Sequence, residues 1–193
     1  MVETKLKNQG KGSGFLSVPA PSTERRRRRR DSTSEYKKSL QEKQALKRIY
    51  GLSEKQFKKY VKETLALITR VNMSDELIKR LEKRLDNVIF RLGFAKSRSQ
   101  ARQLVSHAYF LVNNKAVNIP SFQVKKGDIV SIKEIKKKKV IFKDLPATLK
   151  KIQALPWLAV DSEKLEGKII VDPDLSQVNP PVEIPLIFEF YSR

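Results

Sequence analysis

Residues 84–107, RLDNVIFRLGFAKSRSQARQLVSH, decide how the chain folds. Leu85, Val88 and Leu92 extend an apolar stripe that begins at Leu77 and Leu81, at helical spacing. Asp75 and Glu76 favour the positive end of that helix, so it is expected to start at Ser74 and stop at Gly93. Ser97 reads as an N-cap, with Gln100 three residues on, for a second helix from Arg98 to His107. That helix buries Ala101, Leu104 and Val105. Arg98 and Arg102 share its other face, which is expected to look outward and suits a phosphate backbone. Asp86 is expected to serve as an architectural partner for Arg84 or Arg91, because no second catalytic group stands beside it.

After His107 the period changes. Tyr109, Leu111, Val112 and Val117 suggest short strands around a turn at Asn113-Asn114, since asparagine tolerates left-handed backbone. Ile119-Pro120-Ser121 and Lys125-Lys126-Gly127-Asp128 are further turns, the last leading into Ile129, Val130 and Ile132. Lys136–Lys139 read as a basic linker and Asp144 to Lys151 as a short helix. Pro156-Trp157 begins an irregular segment, with Trp157 packed between domains. Lys168 to Val171 read as a strand. The end, Val182 to Tyr191, alternates apolar and polar residues and is expected to be extended. Its Phe188, Phe190 and Tyr191 must pack against something.

Upstream, Glu35 to Tyr50 reads as a helix stopped by Gly51. Ser53 and Gln56 form a capping box for a helix whose stripe is Phe57, Tyr60, Val61, Leu65 and Ile68. Lys58, Lys59 and Lys62 fall mostly outside that stripe. Tyr50, Tyr60 and Phe90 read as core residues, not stacking platforms. Gly10, Gly12, Gly14, Pro19 and Pro21 leave the first 30 residues irregular, and six arginines close them at Arg25–Arg30.

The chain has 193 residues and a formal net charge of +20, from 41 Lys+Arg against 21 Asp+Glu. The excess is uneven: net +13 over residues 1–84, +9 over 85–139 and −2 over 140–193. Such a surface selects a polyanion, because neutralised phosphates release condensed counterions. With no cysteine and one histidine, disulfides, thiolate zinc sites, cysteine nucleophiles and multi-histidine centres are excluded. No apolar stretch approaches 18 residues, so no membrane span is expected. Met1 to Gln9 has no apolar core and reads as no secretory signal, although a basic, acid-poor start imitates an organellar presequence.

Residues 42–57, EKQALKRIYGLSEKQF, resemble the opening helices of bacterial small-subunit ribosomal protein number four. The resemblance continues through residues 84–107, VN at 112–113, the proline-serine pair at 120–121, KKGD at 125–128, PWLAVD at 156–161 and EFYSR at 189–193. It implies an α+β fold: a mostly helical domain with an inserted small α/β RNA-binding module, two helices followed by a short turn-rich sheet. Residues 1–34 would be a basic, partly irregular extension, 35–84 and 137–193 the helical domain with an extended C-terminal segment, and 85–136 the module. It also implies a structural constituent of the small subunit. Such a protein binds the 5′ domain of small-subunit rRNA, nucleates assembly and lies near the mRNA entrance beside other ribosomal proteins. No enzyme activity, cofactor, metal, membrane or obligate homo-oligomer is expected. The compartment is the cytoplasm, or a plastid or mitochondrial matrix for a eukaryotic source.

The start departs from relatives that carry a zinc-holding cysteine cluster and a glycine-histidine-glycine stretch. His107 to Phe110 and Asn113-Asn114 also differ from their usual residues. Expected RNA contacts are Arg25, Arg26, Arg27, Arg28, Arg29 and Arg30, then Lys47, Arg48, Lys58 and Lys59. Arg84, Arg91, Lys96, Arg98, Arg102, Gln103, His107, Asn113, Asn114 and Lys115 complete the set. Recognition would run through shape, phosphates and 2′-hydroxyls. The module also resembles one carried by pseudouridine synthases and by an aminoacyl-transfer synthetase class. An RNA-modifying enzyme fragment is therefore one alternative. A free-standing ribosome-rescue or heat-stress factor is another, and a DNA-binding architectural protein is suggested by charge alone.

Overall fold

The computed structural model describes residues 34–67, 72–149 and 155–192. The arginine run Arg25–Arg30, Ile68 and the end of the expected 144–151 helix lie outside them.

Helix α1 (Glu35–Ile49) starts at Ser34, whose hydroxyl accepts from the Lys37 N–H at 3.3 Å. It ends where Gly51 takes φ +59°, a left-handed turn that a side chain would strain. Helix α2 (Glu54–Leu65) carries the complete capping box from Ser53 and Gln56. Helix α3 is Met73–Glu82 and α4 is Leu85–Arg91, so the single helix expected from Ser74 to Gly93 is two. The reason is long-range. Segment 120–124 takes the backbone groups that would continue the helix: Leu85 N–H donates to Phe122 C=O at 2.8 Å, and Val124 N–H to Lys83 C=O at 2.9 Å. Helix α5 (Arg98–Ser106) is capped by Ser97, as its sequence predicts, while Gln100 reaches back to the Lys96 N–H at 2.7 Å.

Strands β1 (Phe110–Val112) and β2 (Lys115–Val117) form a hairpin whose two turn residues, Asn113 and Asn114, have φ of 49° and 63°. Strand β3 (Ile129–Ile132) pairs with β1. The chain then makes a short helix α6 (Glu134–Lys137), a 3-10 turn over Val140–Phe142 and helix α7 (Leu145–Leu149). Two strands that extend the same sheet follow, β4 (Leu158–Asp161) and β5 (Glu166–Ile169). The five-stranded sheet is antiparallel throughout, in the order β2-β1-β3-β5-β4. Helices α8 (Leu175–Val178) and α9 (Ile184–Ser192) end the described chain. The fold is α+β.

Two apolar clusters organise these elements. In one, α4, α5 and the sheet bury Leu85, Val88, Ile89, Leu92, Phe110 and Val130 together with Phe142, Leu145, Leu149, Trp157 and Ile169. In the other, Leu46, Phe57, Val61, Leu77 and Leu81 from α1, α2 and α3 close on Ile184, Ile187 and Phe188 of α9.

This packing corrects three expectations. Phe142, Leu145, Leu149, Trp157, Leu158 and Ile169 pack in the sheet core and not with the helical cluster, although the resemblance puts 137–193 in the helical domain. Trp157 is buried inside that core and not between domains. The segment 182–191 is not extended: Ile184, Ile187 and Phe188 recur at helical spacing, and α1 covers them.

Two consequences are testable. Gly167 on β5 is buried, and a Cβ there would overlap the Leu92 side chain. Gly167→Val is expected to lower stability by about 1–3 kcal/mol, read from the urea midpoint. The second concerns Glu54 at the start of α2, which accepts from Lys43 at 2.9 Å, Lys47 at 3.0 Å and the Tyr191 hydroxyl at 2.9 Å. Burial would raise its pKa, but these three donors outweigh burial and hold it at about 2. The stabilisation is present above the ordinary carboxylate value and lost as pH falls from there toward about 2. Glu54→Gln is expected to flatten that acid limb in a thermal-melt series and leave its shape above pH 6 unchanged.

Candidate nucleic-acid interface

The basic residues divide into two populations. The first is inside. Glu82 has no exposed surface and sits at the end of α3. Its carboxylate accepts from the Tyr50 hydroxyl at 2.7 Å, Asn87 Nδ2 at 2.7 Å, and Arg91 Nε and Nη2 at 3.0 and 2.8 Å. Asp86, also buried, is gripped by Arg84 through two bonds of 3.1 and 2.7 Å. Arg102 reaches the same carboxylate with Nε at 3.1 Å and Nη2 at 2.9 Å. Arg102 then donates to the backbone carbonyls of Tyr50 and Gly51 in the α1–α2 turn. A charge buried this way is tolerated only when paired and hydrogen-bonded. Burial alone would lower the pKa of Arg84 and Arg91, but Asp86 and Glu82 outweigh it and raise both. Burial, then the Glu82 charge, pushes the Tyr50 hydroxyl up.

This geometry revises the sequence expectation for three residues. Arg84 is 2% exposed, with both edges of its guanidinium occupied by Asp86 and Tyr60, so it offers no edge to a phosphate. Arg91 and Arg102 are half-buried, and their forks hold carboxylates. The Arg98–Arg102 face of α5 turns toward the α1–α2 turn, not outward. Asp86 does act as an arginine's partner, but those arginines are Arg84 and Arg102, while Arg91 turns to Glu82.

The second population is outside. Arg48, Lys58, Lys59, Lys96, Gln103, His107, Asn114 and Lys115 are exposed. Lys47 is half-buried against Glu54. Asn113 is exposed, but its side chain ties two turns together: its Nδ2 donates to Asp128 at 2.9 Å, and its carbonyl accepts from Ile129 N–H at 3.0 Å. That tie brings Lys115 to the same end of the sheet as Lys125 and Lys126.

A cleft of about 630 Å³ runs between α2, α3 and the 121–125 segment. Six of its lining residues are basic, Lys59, Lys79, Arg80, Lys83, Arg84 and Lys125, against Glu63 and Glu76. Gln56, Ser121 and Gln123 supply neutral polar groups. Arg80 is tied to Glu63 and Glu76, and Lys79 and Lys83 share Asp172. Lys59 approaches Glu63 only at 3.8 Å, with 76% of its side chain exposed. Sequence reading singled out Lys59 and Arg84 here and missed Lys79, Arg80, Lys83 and Lys125. No local signal sets Lys79, Arg80 and Lys83 apart, and Lys125 reads only as part of a turn.

The helix pair α4–α5 with the first three strands is an RNA-binding architecture. Residues 83–130 match the S4 domain, and residues 17–86 match the ribosomal protein S4/S9 N-terminal domain. The chain is 46% identical over 161 residues to small ribosomal subunit protein uS4 of Herminiimonas arsenicoxydans, covering 83% of this chain and 77% of the relative. It is 45% identical over 162 residues to uS4 of Halothermothrix orenii (83% and 76%). It is 44% identical over 160 residues to uS4 of Neisseria meningitidis (83% and 77%). The chain belongs to the small ribosomal subunit protein uS4 family. It is a structural ribosomal component that binds rRNA, not an enzyme. The enzyme and rescue-factor alternatives share only the S4 domain with it, and the match at 17–86 overlaps that domain only at 83–86.

Proposed function

We propose that the chain holds the 5′ domain of small-subunit rRNA through the basic cleft and the exposed cations around it. The observation that carries this reading is the cleft's lining. Basic side chains outnumber acidic ones there even with the closed Arg84 set aside, and neutral polar groups line the same cleft. Lys58 and Lys59 of α2 serve one rim, and Lys115, Lys125 and Lys126 the other. Arg48, Lys96, Gln103, His107 and Asn114 add contacts at the exposed ends of α1, α5 and the hairpin. These groups suit backbone and 2′-hydroxyl recognition of a folded RNA junction. Paired internal arginines hold the two apolar clusters in register, so the lysines meet the RNA preorganised. The run Arg25–Arg30 supplies a further polycationic contact, to rRNA or to mRNA near its entrance. Neighbouring ribosomal proteins complete the site, and the protein acts as one copy. Three bacterial relatives support a ribosome-bound location in the cytoplasm.

The test is reconstitution into ribosomal subunits followed by a high-salt wash. The protein is expected to stay with small subunits. Release by the wash, or transfer to large subunits, contradicts the reading. Lys59→Glu with Lys125→Glu is expected to reduce the salt slope of rRNA binding by about 2, since each lost phosphate contact contributes about 0.9.

A further inference from the structure

The buried network is not electrically closed. Four guanidinium groups, Arg84, Arg91, Arg98 and Arg102, meet two carboxylates, Glu82 and Asp86. Among the described residues, Arg98 is the one of the four with no carboxylate partner. Its Nε donates to Asn87 Oδ1 at 2.7 Å, and Asn87 in turn donates to Glu82. Its guanidinium lies 4.4 Å from the Phe90 ring centroid and 5.1 Å from that of Tyr50. Two aromatic residues and one hydrogen bond therefore fix the plane of the group. Its two outer nitrogens have no acceptor among the described residues, and neither is sealed from solvent. Burial, then the neighbouring Arg91 charge, disfavours this cation.

We propose that Arg98 is an anion site, and that its outer edge takes two oxygens of a phosphate as the missing third anion of the network. A guanidinium edge presents two parallel N–H groups that match phosphate geometry, and a lysine does not. Tyr50 follows α1, Phe90 belongs to α4 and Arg98 opens α5. A phosphate there relieves the Arg91–Arg98 repulsion at the joint between the two clusters. Binding and rigidity are therefore coupled.

The probe is inorganic phosphate against chloride at equal ionic strength, with thermal unfolding followed by Trp157 fluorescence and circular dichroism. The wild-type midpoint is expected to rise in phosphate, and most of that rise to vanish in Arg98→Gln. An equal rise in both proteins overturns the site. Arg98→Lys keeps the charge without the fork. A rise as large as wild type in that variant overturns the bidentate assignment, and it remains readable should Arg98→Gln fail to fold.

A second arm uses the rRNA 5′ domain and rests on the reading that the chain binds it. Arg98→Gln is expected to lose about tenfold or more in affinity, the range for a charge-assisted hydrogen bond, with the salt slope lower by about 1. A phosphate response that depends on Arg98, with RNA affinity unchanged, supports the site and assigns it to free phosphate. Wild-type protein that fails to bind the RNA sinks the functional reading, while the phosphate arm still decides the site.

Discussion

Glu82→Ala is expected to lower stability by about 3–5 kcal/mol, the cost of stranding a buried partner charge. The carboxylate has no exposed surface and accepts four side-chain hydrogen bonds from Tyr50, Asn87 and Arg91. Its loss strands Arg91 and leaves the Tyr50 hydroxyl and the Asn87 amide without their acceptor. It also removes a negative charge that favours the Arg98 cation. Domains of this size have about 5–15 kcal/mol in all, so the variant would keep only part of its margin. The urea midpoint is the measurement. A loss below about 1 kcal/mol would mean that the network does not hold the two apolar clusters together. Glu82→Gln keeps the volume and one acceptor oxygen, but its amide nitrogen then faces two donors, so its loss combines the missing charge with two unmade hydrogen bonds.

Removal of α9 by stopping the chain after Glu183 is expected to unfold the helical cluster. Ile184, Ile187 and Phe188 close that cluster against α1, and Tyr191 ties the same helix to Glu54. Truncating one buried phenylalanine costs about 3–5 kcal/mol, and each aliphatic about 2–5. Their sum exceeds the margin such a cluster has. The sheet core has its own closed set of apolar residues, including Trp157, the sole tryptophan of the chain. Circular dichroism should therefore lose helix while Trp157 emission keeps its buried, blue-shifted position. Unchanged helix content would refute the role given to α9. Simultaneous loss of the tryptophan signal would show that the sheet core cannot stand without its helical neighbour.

The parts of the fold readable from sequence are those decided within a few residues. Ser53 with Gln56, Ser97 and Gly51 each act through local backbone geometry, and each stands where the chain predicts it. The Asn113-Asn114 hairpin is local too. The parts not readable depend on distant partners. The break between α3 and α4 exists because segment 120–124 captures the backbone at 83–86. Strand β4 forms because β5 lies beside it. The segment IPLIFEF reads as extended from its alternation, and it is a helix because α1 offers a surface to Ile184, Ile187 and Phe188.

The same limit governs the site. Spacing showed that Arg98 and Arg102 share a face of α5, but not that the α1–α2 turn covers it. Arginine on an outer face and arginine closing an inner network have one sequence signature. Their burial separates them: the forks of Arg84, Arg91 and Arg102 hold carboxylates, while Lys58 and Lys59 of α2 stay exposed.

The most direct test of the account is a titration of the full chain against the isolated rRNA 5′ domain, in about 300 mM salt with excess transfer RNA. Salt at that level suppresses binding driven by charge alone. The account predicts a tight, saturable one-to-one complex, because a folded protein presents its cations in a fixed pattern around the cleft. Binding that collapses under those conditions would contradict it and leave only a polycation.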